Sequence, residues 1–224
     1  SRHPSKENPT NLQSLISNYE LPITPNGILM TDPYLLIGLG NPGREYANTR
    51  HNFGFMAIDR LAVRLNARGM KVQSKAIVMD SKYEDHKLIL AKPQTYMNLS
   101  GQSVQGLAHF YKIPNENLMI LSDDLDLPFG TIRIRASGGP GGQRGLSSIL
   151  EKLGTKDIPR MRLGIGRPPG RMDPADYVLQ NFSRDDLKSL SELLDRAADA
   201  ALEFVVNGLN AAMNKFNGDT SVVE

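Results

Sequence analysis

The sequence predicts an α/β fold, a sandwich of helices around a mixed sheet. Three observations predict it. Apolar strand-like runs alternate with amphipathic helical stretches between residues 34 and 209. A length of 224 residues is enough for one sizeable core and short for two. A 40% hydrophobic and 22% charged composition is that of a folded globular chain, not of a disordered or membrane-spanning one.

Residues 1–30 are polar and rich in Pro, Asn and Ser, and read as a flexible N-terminal extension or an expression remnant. The domain proper is expected over 31–224. "YLLIGL" (34–39) reads as a buried strand. "FGFMAIDRLAVRLNA" (53–67) reads as a helix, because Phe55, Ile58, Leu61, Ala62 and Leu65 share one face at 3–4 spacing. "AIVMDSKYEDHKLILAKP" (76–93) reads as two strands joined by a polar turn. "GQSVQGLAHFYKI" (101–113) is a helix with Val104, Leu107, Ala108 and Tyr111 on one side and Ser100 as its expected N-cap. "LMILSD" (118–123) is another buried strand, and "TIRIRAS" (131–137) alternates as a half-exposed one with Arg133 and Arg135 on the same face. "GLSSILEKLG" (145–154) is a helix stopped by Gly154, and "MRLGIG" (161–166) a further strand. Residues 184–209 form a long amphipathic helix after Ser183, with acidic residues in its first turn where the macrodipole favours them.

There is no cysteine, which removes disulfides, thiolate metal ligands and a thiol nucleophile from consideration. No apolar run approaches the ~20 residues needed to span a bilayer, and no charged-then-apolar signal opens the chain. A soluble cytoplasmic protein with no membrane contact is expected, and a monomer, because no apolar surface stripe stands out. The net charge of +2 is unevenly spread: residues 131–171 carry nine basic side chains against Glu151 and Asp157, whereas 172–224 carry four basic against ten acidic. Seven of the nine are Arg, the side chain suited to phosphate forks, so a polyanion contact is the sharper reading and a solvated face the blander one.

Gly38, Gly40 and Gly43 spell G-x-G-x-x-G directly after the first strand. A dinucleotide site needs a helix to begin inside that motif. Here nine polar or turn-forming residues follow Gly43 before helical periodicity begins at Phe53, and the acidic residue at suitable spacing, Asp59, lies mid-helix. The fingerprint therefore fails. What remains is a polar loop after a strand, offering Asn41, Tyr46, Arg50, His51 and Asn52.

Of four histidines, His3 lies in the tail, His86 in a polar turn where it is expected to be solvated, and His109 beside apolar helix residues where it reads as structural. His51 alone has the setting of a base, with a structural role equally open. Asp123, Asp124 and Asp126 end another strand, on the same sheet edge if the two strands are parallel. One of them would orient His51; alternatively they form a turn or a magnesium site. Asn98 precedes a helix and reads first as its cap. The loop "ASGGPGGQRGL" (136–146) leads into a helix and, flanked by Arg133, Arg135, Arg160 and Arg162, suits an anion, although such loops are also mobile.

In their order and spacing, "IGLGNPGREYANTRHNFGF", "KPQTYMNLSG", "SDDLDLPFGTIRIR", "GGPGGQRGL" and "PRMRLGIGRPPGRMDPADYVLQNF" resemble the signatures of bacterial-type peptidyl-tRNA hydrolases, over roughly residues 33–217. The resemblance implies a single three-layer α/β/α domain with a mixed, mostly parallel sheet, acting without metal or organic cofactor on the peptide–tRNA ester. It implies His51 as catalytic base, Asp123 as the carboxylate that orients it, and Asn41 as the amide that positions water or the ester carbonyl. Asn98, with Met97 beside it, would hold the peptide, Tyr46 would lie near the ester, and Arg135 and Arg162 would clamp the tRNA 5′-phosphate. The chain departs from the family's frequent "GGHNGL" at Gln143 and Arg144, and Arg144 is carried as a substrate-binding candidate. Two rivals stand beside the enzyme: an RNA-binding, splicing-factor-like protein on the same fold, and a hydrolase using a metal at the Asp123–Asp126 cluster.

Overall fold

The computed structural model describes residues 32–218, so the reading of residues 1–30 lies outside the described residues. Seven strands form one sheet: β1 (Tyr34–Gly38), β2 (Arg68–Gln73), β3 (Ala76–Tyr83), β4 (His86–Pro93), β5 (Leu118–Asp124), β6 (Ile132–Arg135) and β7 (Arg160–Gly164). Their spatial order is β2-β3-β4-β1-β5-β7-β6. The pairs β4–β1, β1–β5 and β5–β7 are parallel, and β2–β3, β3–β4 and β6–β7 are antiparallel. The centre is thus a parallel block, with antiparallel pairing toward both edges.

The two-residue period of β1 feeds two cores. Leu36 joins α1 (Phe53–Arg64) and α5 (Arg184–Phe216) on one face. Leu35 and Ile37 join α2 (Ser100–Tyr111) and α3 (Arg144–Leu153) on the other. Helices on both faces make the three-layer α/β/α arrangement, the usual solution for strands that are apolar on both sides.

The opening glycines serve packing. A Cβ on Gly38 would sit 2.1 Å from the carbonyl oxygen of Gly54, and one on Gly54 would sit 2.3 Å from that of Leu121. These two glycines let the start of α1 press onto β1 and β5.

Several elements differ from expectation. The first helix ends at Arg64, and residues 68–73 form β2. That strand is an exposed sheet edge, so it carries no buried-face periodicity to read. Ser100 does not cap α2: it is the first helical residue, and its hydroxyl donates to the Met97 carbonyl at 2.8 Å. The last helix starts after Ser183 as expected, with a capping box between Ser183 and Asp186, but continues to Phe216 across a break at Gly208 (φ 85°). A short helix, α4 (Pro174–Val178), was not foreseen, although Asp173 as N-cap and Pro174 at the first helical position are a recognisable start. His86 opens β4 with its ring edge-on to Tyr34 at 5.5 Å instead of standing in solvent. His109 is exposed, so it has no core role. No helix among the described residues is long and apolar enough to cross a membrane.

Candidate active site

Because β4, β1, β5 and β7 run parallel, their carboxyl ends meet at one edge, where α/β proteins form clefts. Leaving β1, the chain makes two 3-10 turns, Arg44–Tyr46 and Arg50–Asn52, before α1 begins at Phe53. The second turn carries His51. Asp123 sits at the end of β5 with its side chain 4% exposed, and its Oδ2 lies 2.9 Å from His51 Nδ1. A carboxylate accepts, so Nδ1 donates the proton and Nε2 keeps a free lone pair.

The neighbouring amides are locked. Asn52 and Asn41 bond reciprocally: the Asn41 N–H donates to Asn52 Oδ1 at 2.8 Å, and Asn52 Nδ2 donates to the Asn41 carbonyl at 2.9 Å. Asn41 Oδ1 accepts from the Met97 N–H at 3.1 Å, so the other end of its amide, the NH2, is the end left as a donor. Asn98 lies in the Met97–Leu99 turn, exposed, and makes no cap, so the first reading of it as a helix cap is corrected.

These groups line a cavity of about 590 Å³. Asn41, His51, Met97, Asn98, Asp123 and Arg144 all border it, and the unforeseen α4, through Pro174, Ala175 and Val178, with its C-cap Leu179, supplies its apolar wall. Tyr46 borders a neighbouring hollow of about 360 Å³, which shares Tyr96 with the main cavity. Arg135 and Arg162 border a third, of about 190 Å³, against the glycine loop.

The basic segment is less free than its composition suggests. Arg162 is paired with Asp124, and Arg167 with Asp126. Arg160 is 1% exposed and donates to the carbonyls of Gly138, Gly139, Lys156 and Ile158. Burial, and then the like charge of Arg162, lower its pKa. Arg160 therefore holds the glycine loop, whereas Arg135 on β6 and Arg144 at the start of α3 are exposed. The three strand-end carboxylates face different partners: His51 for Asp123, Arg162 for Asp124, Arg167 for Asp126. Among the described residues no group of three or more His, Cys, Asp or Glu side chains is placed to hold a metal ion.

Two residues acquire importance only here. Gln143, the N-cap of α3, donates from Nε2 to Asp123 Oδ1 at 2.9 Å. Gln is not among the favoured capping residues, so its position before a helix gave no signal. Arg50 is 6% exposed; it donates to the Asn181 carbonyl at 2.7 Å and to Asp186 Oδ2 at 3.2 Å, and lies 4.3 Å over the Tyr177 ring. It ties the His51 turn to the start of α5.

The family model described as peptidyl-tRNA hydrolase matches residues 35–223. The chain is 49% identical over 188 residues to a peptidyl-tRNA hydrolase of Mycobacterium marinum, covering 83% of this chain and 98% of that protein. It is 48% identical over 185 residues to one of Chloroflexus aurantiacus, covering 82% and 98%. The crystal structure of peptidyl-tRNA hydrolase from Acinetobacter baumannii superposes with a TM-score of 0.78 at 35% identity, over 86% of this chain and 98% of that one.

Proposed function

The chain belongs to the peptidyl-tRNA hydrolase family, and from that premise we propose how its own residues carry out the reaction. The protein hydrolyses the ester bond between peptide and tRNA in peptidyl-tRNA, recycling tRNA from aborted translation. The observation that carries the residue assignment is the His51 Nδ1–Asp123 Oδ2 contact of 2.9 Å at the edge of the 590 Å³ cavity.

His51 Nε2 takes a proton from water as the water oxygen attacks the ester carbonyl. Asp123 holds the ring in the required tautomer and balances the imidazolium that forms. Such base assistance typically contributes about 10²- to 10⁴-fold. The NH2 of Asn41, whose oxygen is taken by the Met97 N–H, donates to the oxyanion; a donor of this kind contributes about 3–4 kcal/mol. Collapse of the tetrahedral intermediate breaks the bond to the ribose oxygen, which recovers the proton from His51. The products are the peptide acid, which ionises to the carboxylate by losing its proton to solvent, and a free tRNA 3′ end. An ester's alkoxide is a better leaving group than an amide nitrogen, so a water–His–Asp set suffices without a nucleophilic serine. Asn98, Met97 and Arg144 line the peptide side, and Tyr46 flanks the ester from the adjoining hollow. Arg135 takes the tRNA phosphate directly, with Arg162 beside it contributing through its pair with Asp124. The protein works in the cytoplasm as a monomer.

The relatives are hydrolases, which favours the enzyme over the RNA-binding alternative on this fold. The divergent Asp123, Asp124 and Asp126 disfavour the metal-dependent one. The test is release of labelled N-acetyl-aminoacyl groups from tRNA in EDTA by wild type and His51→Ala. Turnover by wild type, with a loss of several hundred-fold or more in the variant, is expected from the size of base catalysis. A fully active His51→Ala would overturn the assignment.

A further inference from the structure

We propose that Gln143 is a positioning residue that fixes the orientation of the Asp123 carboxylate, and through it the tautomer of His51. The inference rests on the roles assigned above to His51 and Asp123. The two ends of the Gln143 amide are not interchangeable. Its Oε1 accepts from the Gly145 N–H at 2.6 Å and the Leu146 N–H at 3.3 Å, the free donors at the start of α3. An amide whose oxygen is claimed by backbone donors must present its NH2 on the other side. That NH2 donates to Asp123 Oδ1 at 2.9 Å and lies 3.7 Å from Met97 Sδ.

Asp123 is consequently gripped on both oxygens: Oδ1 by Gln143, Oδ2 by His51. Turning the buried carboxyl loses both bonds at once. The chain of donors runs from the α3 N-terminus through Gln143 and Asp123 to the imidazole, and each bond polarises the next. The clamp is also uncharged. An acid at this position would repel Asp123, and a cation would compete with His51 for it. The other charged groups around the carboxylate are Asp124 with its partner Arg162, and Arg144 and Asp173 on the cavity wall; none bonds to either Asp123 oxygen among the described residues. Where the family often carries His at this position, this chain has a side chain that donates whatever the pH.

Helix capping and clamping can be separated by substitution. Gln143→Ser keeps a good N-cap but is too short to reach Asp123. It is expected to leave the melting temperature nearly unchanged and to lower kcat about 10- to 100-fold, the scale of a misplaced catalytic group, with KM within about twofold. Gln143→Glu still caps α3 but sets a second carboxylate against Asp123. It should move the acidic limb of the kcat/KM profile to higher pH, because an added negative charge beside Asp123 favours the protonated form of the base.

The decisive readout is rescue. In Asp123→Asn the new amide must give its oxygen to Gln143, so its NH2 faces His51 and imposes the wrong tautomer. Adding Gln143→Glu supplies an acceptor for that NH2 and turns the amide oxygen back to His51 Nδ1. The double variant is expected to recover tenfold or more over Asp123→Asn. Wild-type kcat in Gln143→Ser, or a double variant no faster than Asp123→Asn, would overturn the clamp. Full activity in His51→Ala would instead overturn the underlying assignment, so the two failures are distinct.

Discussion

Replacing Arg50 with Met tests whether the His51 turn is held in place from α5. Met keeps much of the aliphatic volume and removes the guanidinium. The structure loses the donations to the Asn181 carbonyl at 2.7 Å and to Asp186 Oδ2 at 3.2 Å. Charged hydrogen bonds of this kind contribute about 1.5–3 kcal/mol each. It also loses the stacking over Tyr177 at 4.3 Å, which adds about 1–2 kcal/mol at a desolvated position. Part of this is offset, because Asp186 keeps the Ser183 N–H at 3.0 Å and its side chain is 23% exposed. The net expectation, the two charged hydrogen bonds and the stacking less this offset, is about 3–5 kcal/mol. Arg50→Lys keeps the charge on one nitrogen instead of a fork and should lose about 1–2 kcal/mol. Equilibrium urea unfolding reads both. Under native conditions Arg50→Met should also lower kcat, since His51 is the next residue of the same turn. A loss of stability below 1 kcal/mol in Arg50→Met, with kcat intact, would refute the reasoning.

Two further outcomes follow from the packing and the charge map. Gly54→Ala places a methyl 2.3 Å from the Leu121 carbonyl oxygen. Because that contact is with backbone, the variant should unfold at clearly lower urea, by several kcal/mol if the helix cannot shift; an unchanged midpoint would mean that α1 slides freely on the sheet. Arg135→Ala should raise KM for peptidyl-tRNA and flatten the dependence of log(kcat/KM) on log salt by about one phosphate contact, with kcat unchanged. In Arg162→Ala the same binding loss should be accompanied by lower stability, because Asp124, 8% exposed, would be left without its partner. An Arg135→Ala protein with wild-type salt dependence would remove that residue from the tRNA contact.

The sequence by itself determined the fold class, the central strands and most helices, because runs such as Leu35–Ile37 and the spaced apolar residues of 53–65 report burial directly. It also determined the family and the identity of His51, Asp123, Asn41 and Asn98 as candidates, through motifs whose order is specific. It left unread whatever carries no burial period or preferred residue type. The edge strand β2 is exposed, α4 is a single short helix, and Gln143 is an unfavoured cap. Only the tertiary structure decided which strands run parallel, and hence that the loop after β1 and the end of β5 share an edge. It decided what the neighbouring aspartates do, because only pairing across strands assigns Asp124 to Arg162 and Asp126 to Arg167. It divided the basic segment into Arg160, spent on the glycine loop, Arg162 and Arg167, paired with Asp124 and Asp126, and the exposed Arg135 and Arg144. These are contacts between residues 20 to 136 positions apart, and no local pattern encodes a distance that only the folded sheet creates.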